Sequence, residues 1–219
     1  LWLLGLVAIL AVGLAAALKT PADGSLHLEV LDAGHGGAIL LQCPNGRTLL
    51  FDAGTLGNPD RLAETIRDAV WRRRLRRLDA VVLSHADRDH FSAAPRLFRL
   101  IPTGSLVISS TFLAPHQSET LDLCRDAETA GVAIELVVAG DRLRVDPAVE
   151  ISIRHPPVGF TGSSDNSNSL VLEIVYAGRR ILLTGDLEHD GQTQLTSGPG
   201  RAVDILLSPH HGSPRANSR

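Results

Sequence analysis

The sequence predicts one α/β domain built from two packed β-sheets with helices on the outside. Short apolar segments that end in turn residues outnumber the segments with helical spacing, and this balance is typical of two sheets packed face to face. The chain has 219 residues, 44% of them hydrophobic and 21% charged, which is enough for one large core and too few for two.

The N-terminal residues 1–18 are all apolar or glycine. A helix of that length spans about 27 Å, just short of a bilayer core of roughly 30 Å. We therefore expect residues 1–19 to be the end of a transmembrane segment, residues 20–25 a linker, and residues 26–219 one domain outside the bilayer. A signal-peptide core is the alternative, although such a core is shorter and follows positive charge.

Strands and helices follow one another from residue 26 onward. Segment 26–32 is an apolar strand, and segments 38–42 and 48–51 flank Pro44-Asn45-Gly46, which predicts a hairpin turn. Residues 60–75 have apolar side chains at helical spacing, with Asp60 as a candidate cap. The remaining predicted helices are 93–100 and 119–130, and the remaining predicted strands are 78–83, 106–109, 134–138, 149–154, 169–176, 180–183 and 203–207.

Composition argues against two kinds of function. The formal net charge of −3 argues against binding of nucleic acid through bulk charge, so contact with a polyanion must come from a local patch or from bound metal. Cys43 and Cys124 lie far apart and form no CxxC motif, which argues against a cysteine zinc site. We expect them to be separate small buried residues.

The strongest chemical signal is the sequence SHADRDH at residues 84–90, directly after the predicted strand 78–83. Its two imidazoles and two carboxylates lie where a strand becomes a loop. Carboxylates this close repel each other and raise each other's pKa unless a cation offsets them, so the pattern favours a metal site. The alternative is a polar loop in which Asp89 caps the following helix.

Three further strand ends carry residues that can bind metal. Strand 48–51 runs into Asp52, strand 180–183 into Thr184-Gly185-Asp186, and strand 203–207 into Ser208-Pro209-His210-His211. A turn explains any one of these ends. Their shared position after apolar strands indicates one site assembled from several strands.

The order Asp, HxxxDH, Asp, His at strand ends resembles the metallo-β-lactamase superfamily. The sequences SHADRDH, DNSNSLVLEI, LLTGDLE and SPHHGS resemble the ComEC/Rec2 competence proteins in particular, as does the opening LDAGHGGAILLQCPNGRTLLFDAG. The resemblance spans residues 26–213 and implies a metallo-β-lactamase αββα sandwich preceded by an N-terminal membrane segment. It also implies location in the cell membrane, with the rest of a membrane channel in the same polypeptide. The chain stops soon after His211, so we expect the domain to lack a terminal helix or strand.

A site for two divalent metal ions also follows from the resemblance. His85 and Asp87 would belong to one metal position, and Asp89 and His90 to the other. Asp186 would bridge the two ions. Asp89 would in addition be catalytic, by orienting the attacking water or accepting its proton.

The resemblance assigns supporting positions as well. One of the adjacent histidines His210 and His211 would complete a coordination sphere, and His210 is marginally favoured. Asp52 and Asn166 would support the ligands from behind by hydrogen bonding.

The chain departs from the superfamily pattern at three places. The third position of the commoner HxHxDH motif is Asp87, and an oxygen ligand favours harder ions, so manganese competes with zinc. Residues 165–169 lack the superfamily's mid-chain histidine, which leaves one metal with fewer protein ligands. The family's GQGD turn reads Gly34-His35-Gly36-Gly37, so its carboxylate is lost.

The function implied is metal-assisted cleavage of DNA phosphodiesters, with single-stranded DNA as substrate, during DNA uptake. Two cations suit a phosphodiester better than a β-lactam because they attract its dianionic transition state. One alternative is hydrolysis of another ester or phosphoester. The other is a degenerate domain that binds DNA or regulates the channel.

Five arginines lie within residues 71–77. Arg72, Arg73 and Arg76 are candidates for contact with DNA phosphates. The alternative is a solvated helix end, where arginines complement the helix dipole. If DNA is the substrate, this cluster should face the metal site, and if not, it should lie far from it.

Overall fold

The computed structural model describes residues 22–113, 118–198 and 200–217, together with positions 2, 5 and 7. The predicted membrane segment 1–19 otherwise lies outside the described residues. Within the part of the chain that is described, no helix is long and apolar enough to cross a bilayer.

Two β-sheets pack face to face, as predicted. The first contains the strands β1 (His27–Val30), β2 (Gly36–Gln42), β3 (Thr48–Thr55), β4 (Leu78–Val82), β5 (Thr103–Ser109) and β6 (Ala133–Val137), in that order. The second contains β7 (Arg142–Asp146), β8 (Val149–His155), β9 (Val171–Tyr176), β10 (Arg179–Leu183) and β11 (Ile205–Leu206), in the spatial order β11-β10-β9-β8-β7.

The described helices are α1 (Pro59–Arg72), α2 (Arg88–Phe91), α3 (Ala94–Leu100), α4 (Ser118–Thr129) and α5 (His189–Thr196). The cap of α1 is Asn58, whose side chain accepts a hydrogen bond from the Arg61 amide, and not Asp60 as predicted. Asp60 lies in the first turn instead, where its negative charge complements the helix dipole.

Strand β3 is buried on both faces and joins two hydrophobic cores. Leu50 packs with Ile66 of α1 in the core between the first sheet and its helices. Leu49 and Phe51 point to the other side and pack with Leu172 of β9 between the sheets. A parallel strand covered on both faces reads as a continuous apolar run, which is why this strand is recognisable in the sequence.

Parallel pairing brings the chemical motifs to one edge of the sandwich. Strands β3 and β4 are parallel in the first sheet, and β10 and β11 are parallel in the second. The carboxyl ends of parallel strands meet at the same edge, so the segments that follow them are neighbours. The Leu170 amide donates a hydrogen bond to the Ser84 carbonyl oxygen at 2.7 Å and joins the two sheets at that edge.

Several elements differ from the sequence prediction, among them the short helix α2, which was not predicted. Strand β7 was not predicted, because Leu143 and Val145 are its only apolar residues at alternating positions. Its extended conformation comes from pairing with β8. Helix α5 was not predicted, because its sequence has no apolar period. The predicted strand 203–207 is reduced to β11, a two-residue pairing with β10.

The prediction of separate cysteines is confirmed, since both are free thiols. Cys43 is buried, whereas Cys124 is half-buried. Burial, with lesser contributions from Asp146 and Asp79, raises the pKa of Cys43 to about 12.

Strand β3 touches the SHADRDH loop at a position where only glycine fits. A Cβ at Gly54 would lie 2.4 Å from main-chain atoms of Asp89, His90 and Phe91. We expect Gly54→Ala to lower the free energy of unfolding by about 3 kcal/mol or more, the upper end of overpacking costs. Urea unfolding followed by circular dichroism measures this, with Gly200→Ala as the control, since a Cβ there meets nothing within 4 Å. Equal stability of the two variants would contradict this packing.

Candidate metal centre

Four segments meet at the edge of the sandwich where the parallel strands end. They are the end of β3 with Asp52, the SHADRDH loop after β4, Thr184-Gly185-Asp186 after β10, and the segment 208–213 after β11. Gly185 permits the approach of the two sheets, because a Cβ there would lie 2.6 Å from the Ser84 Cβ. We call this assembly the metal centre.

The buried carboxylate of Asp52 organises the first part of the centre. It accepts hydrogen bonds from the Ser84 amide at 2.7 Å, from the Ser84 hydroxyl at 3.0 Å and from His90 Nδ1 at 2.8 Å. Asp52 is 2% exposed and has a positive φ of 60°, a backbone conformation that is costly and concentrates at functional sites. The contacts fit the supporting role expected for Asp52.

These hydrogen bonds determine which ring nitrogens of His85 and His90 remain free. Because the Ser84 hydroxyl donates to Asp52, it accepts from His85 Nδ1, at 2.9 Å. His90 Nδ1 donates to the Asp52 carboxylate. In the neutral form of each ring, Nε2 therefore carries the lone pair, and both Nε2 atoms are buried without a hydrogen-bond partner. A buried polar atom without a partner is costly, and a metal ion would satisfy these two.

Four of the expected ligands converge on one point. Asp89, His90, Asp186 and His211 each place one ligand atom within 4.8 Å of the others. His90 Nε2 is 3.3 Å from Asp186 Oδ1, and His211 Nε2 is 3.5 Å from Asp186 Oδ2. The two oxygens of Asp186 thus face different histidines, an arrangement that suits a carboxylate shared by two metal ions.

The other two expected ligands lie beside this group. His85 Nε2 is 3.4 Å from Asp87 Oδ2, and the rings of His85 and His90 are 4.2 Å apart between centroids. The Asp87 side chain is 45% exposed, whereas that of His85 is 1% exposed. The SHADRDH loop therefore brings a buried imidazole and a half-exposed carboxylate close to each other beside the converging group.

The electrostatics of the centre favour ionised carboxylates. Burial acts to raise the pKa of Asp89, but His211, His90 and His85 outweigh it and lower the pKa to about 2. For Asp186, burial acts in the same direction, and His90 and His85 again lower the pKa. Burial acts to lower the pKa of His90, yet Asp52 and Asp186 raise it well above its ordinary value. The centre has an excess of negative charge that a cation would neutralise, and its oxygen and nitrogen donors suit zinc or manganese.

The structure favours His211 over His210 as the ligand. His210 Nδ1 donates to Glu188 Oε2 at 3.0 Å, and its Nε2 is 3.8 Å from Asp186 Oδ2. His210 is not part of the converging group. Asn166, expected to support a ligand, lies with its amide nitrogen 3.3 Å from Glu188 and 3.5 Å from His210.

Glu188 is a site residue that the sequence analysis missed. Its side chain is only 10% exposed, and it holds His210 beside Asp186. It is the last residue of the sequence LLTGDLE, but its role was not predicted, because that role depends on contacts with Asn166 and His210, which are distant in sequence. Its position two residues after Asp186 was the one available signal.

The arginine cluster lies at the opposite end of the first sheet. The Thr48 hydroxyl, at the start of β3, donates to the Arg77 carbonyl oxygen at 2.9 Å. Strand β4, five residues long, separates this end from the SHADRDH loop by about 16 Å at roughly 3.3 Å per residue. Arg72 and Arg73 both pair with Glu29, at 3.2 and 2.8 Å. Arg76 lies in the same turn before β4.

Comparison with known proteins identifies relatives of this chain. A sequence profile of the Metallo-beta-lactamase superfamily matches residues 31–218. ComE operon protein 3 of Bacillus subtilis is 31% identical over 202 residues, which are 85% of this chain and 25% of that protein. Competence protein ComA of Neisseria gonorrhoeae is 31% identical over 201 residues, 90% of this chain and 25% of that protein. The chain thus spans about a quarter of each relative, and the resemblance to competence proteins is confirmed.

A solved structure shows the same fold. MEM-A1, a subclass B3 metallo-beta-lactamase isolated from a soil metagenome library, aligns with a TM-score of 0.58 at 16% identity. The alignment covers 88% of this chain and 79% of MEM-A1. The predicted α/β sandwich fold is thereby confirmed.

Ser84 should influence metal affinity although it contacts no metal. Ser84→Ala removes the hydroxyl that links Asp52 to His85, so His85 loses its orientation. We expect a loss of about 10- to 100-fold in zinc affinity, as for other supporting residues. Calorimetric zinc titration measures it, with Ser105→Ala as the control, a buried serine on β5. Equal affinities in the two variants would contradict the role of Ser84.

The adjacent histidines should differ in their effect on metal binding. His211→Ala removes a member of the converging group, so we expect zinc affinity to fall by more than the roughly 10- to 100-fold that a supporting residue contributes. His210→Ala should leave the number of bound ions unchanged, because His210 contacts Glu188. Zinc titration with a competing chelator measures both affinities. A larger loss in His210→Ala would reverse the assignment.

Proposed function

This chain belongs to the metallo-beta-lactamase superfamily, and from that premise we propose that it is a two-metal hydrolase that cleaves DNA phosphodiesters. The observation that carries the proposal is the convergence of Asp89, His90, Asp186 and His211 on one point. The unpartnered Nε2 of His85 beside that group supports a second ion position. Zinc and manganese both suit the donor set.

Each ligand has a proposed role in this centre. His85 and Asp87 would hold one ion, Asp89, His90 and His211 would hold the other, and Asp186 would be shared. When bound, the ions supply Lewis acidity and positive charge that offsets the charge developing on a phosphoryl oxygen. Asp89 would orient the attacking water and accept its proton.

The residues behind the ligands keep this arrangement rigid. Asp52 holds His90 and, through Ser84, His85, so neither imidazole needs to rotate when substrate enters. Such preorganisation avoids a reorganisation cost during the reaction. In the same way, Glu188 keeps His210 beside Asp186.

DNA is the substrate class that the relatives favour. One similar protein is named Competence protein ComA, and the resemblance to competence proteins supplies the link to DNA uptake. We propose that the chain acts on single-stranded DNA at the cell membrane, to which residues 1–19 attach it, with the channel portion in the same polypeptide.

The position of the arginines does not support this choice. Arg72 and Arg73 lie far from the metal centre and are paired with Glu29, so they offer no help at a bound phosphodiester. The DNA assignment therefore rests on the ligand set and on the relatives. Another phosphoester as substrate is the second candidate, and the remote arginines favour it.

We expect the full chain, kept in detergent, to cleave a fluorescent single-stranded oligonucleotide when manganese or zinc is present. Asp89→Ala and His85→Ala should each lower the cleavage rate by about 100-fold or more, because each removes a ligand of the reacting centre. Denaturing gels measure the rate. His27→Ala, an exposed histidine on β1, is the matched control and should cleave like the parent.

Three results would change the conclusion. Cleavage of a small phosphodiester such as bis(p-nitrophenyl) phosphate, without cleavage of DNA, would transfer the assignment to another substrate. DNA binding without cleavage, with fewer than two ions bound, would support a degenerate binding domain. Full cleavage by both ligand variants would exclude this centre as the site of reaction.

A further inference from the structure

An exposed imidazole lies at the open side of the metal centre, on the turn Gly34-His35-Gly36-Gly37. His35 Nε2 is 3.7 Å from Asp89 Oδ2, and the His35 and His211 rings are 5.4 Å apart between centroids. The His35 side chain is 67% exposed, in contrast to the buried His85 and His90. His35 therefore faces both the ligands and the solvent from which substrate arrives.

The backbone that carries His35 is fixed against the ligand loop. A Cβ at Gly36 would lie 2.1 Å from the Gly54 carbonyl oxygen and 2.8 Å from the Asp89 carbonyl oxygen, so the turn packs directly on the main chain of the loop. The Leu56 amide also donates a hydrogen bond to the His35 carbonyl oxygen at 2.9 Å. Because this backbone is fixed, the His35 side chain needs no large movement to contact a molecule bound at the centre.

The distances distinguish His35 from a metal ligand. In the described chain, the four ligand atoms that lie within 4.8 Å of one another do not include a His35 nitrogen. At 3.7 Å, His35 Nε2 is also too far from Asp89 for a good hydrogen bond. Its donor capacity is thus not used by the centre itself, and its exposed side chain leaves that donor accessible from solvent.

We propose that His35 is a substrate-binding residue whose imidazole donates a hydrogen bond to a phosphoryl oxygen of the anionic substrate. The inference rests on the proposed function, because it assigns a role at the same centre. In this role, His35 gives the centre a hydrogen-bond donor on the side from which substrate arrives. The remote arginine cluster does not supply such a donor. Substrate discrimination in favour of phosphoesters over neutral esters follows, since a hydrogen bond to a charged oxygen is stronger than one to a neutral oxygen.

The experiment compares parent, His35→Ala and His35→Gln full chains, each loaded with manganese. We expect His35→Ala to raise KM for the single-stranded oligonucleotide by about 10- to 100-fold, the range for a hydrogen bond to a charged group. His35→Gln keeps a donor and should recover most of the loss. Metal content should remain two ions in all three proteins, because His35 is not a ligand. His27→Ala serves as the histidine control.

A binding arm keeps this test separate from the test of the nuclease. Thymidine 3′,5′-bisphosphate is titrated calorimetrically into each manganese-loaded protein, and His35→Ala should bind it about 10-fold or more weakly than the parent does. If the parent cleaves no DNA but the binding difference persists, the nuclease proposal fails and the role of His35 stands. Unchanged KM and unchanged bisphosphate affinity in His35→Ala would overturn the role of His35. Loss of a metal ion in that variant would also overturn it and make His35 a ligand.

Discussion

The buried carboxylate of Asp52 is the interaction on which the metal centre depends. A charge in this position is costly unless hydrogen bonds satisfy it, and the Ser84 amide, the Ser84 hydroxyl and His90 Nδ1 do so. The same bonds leave the two histidine Nε2 atoms as free acceptors, so one carboxylate determines the direction of both lone pairs. Gly37 leaves room for this network, because a Cβ there would lie 3.2 Å from the Asp52 Cβ and 3.4 Å from His90 Nδ1.

Assembly of the centre requires both sheets. The first sheet supplies the SHADRDH loop, and the second supplies Asp186 and His211, so the ligands meet only after the sheets have packed. Ser84 is the point of contact: its carbonyl oxygen accepts from the Leu170 amide, and its side chain lies against Gly185. Because the unfolded chain has no such arrangement, the free energy of binding a metal at this centre would contribute to the packing of the two sheets. The centre and the interface between the sheets therefore stabilise each other.

The sequence allowed prediction of those parts of the centre that local spacing determines. The SHADRDH loop and Asp186 each follow an apolar strand. Such a strand is recognisable from a short stretch of the sequence alone. The choice between His210 and His211 depends on a turn in which both residues have positive φ, 49° and 52°, and spacing does not resolve adjacent residues in such a turn. Glu188 and the pairing of Arg73 with Glu29 depend on contacts between distant segments. For that reason, the arginines were recognisable as a charged run, but the pairing of two of them with Glu29 was not.

The ligand set makes the two proposed ion positions unequal. One position has Asp89, His90 and His211 with a share of Asp186, whereas the other has His85 and the half-exposed Asp87 with the remaining share. Fewer protein ligands and greater exposure would leave more coordination sites to water, so the proposed second position would bind its ion more weakly. At this second position, the Asp87 carboxylate stands in place of the imidazole of the commoner HxHxDH motif. An oxygen ligand shifts the preference of the position toward ions harder than zinc. If the proposed hydrolysis needs both ions, the second ion would be lost first, and activity would depend on the metal concentration more steeply than the occupancy of the first site suggests.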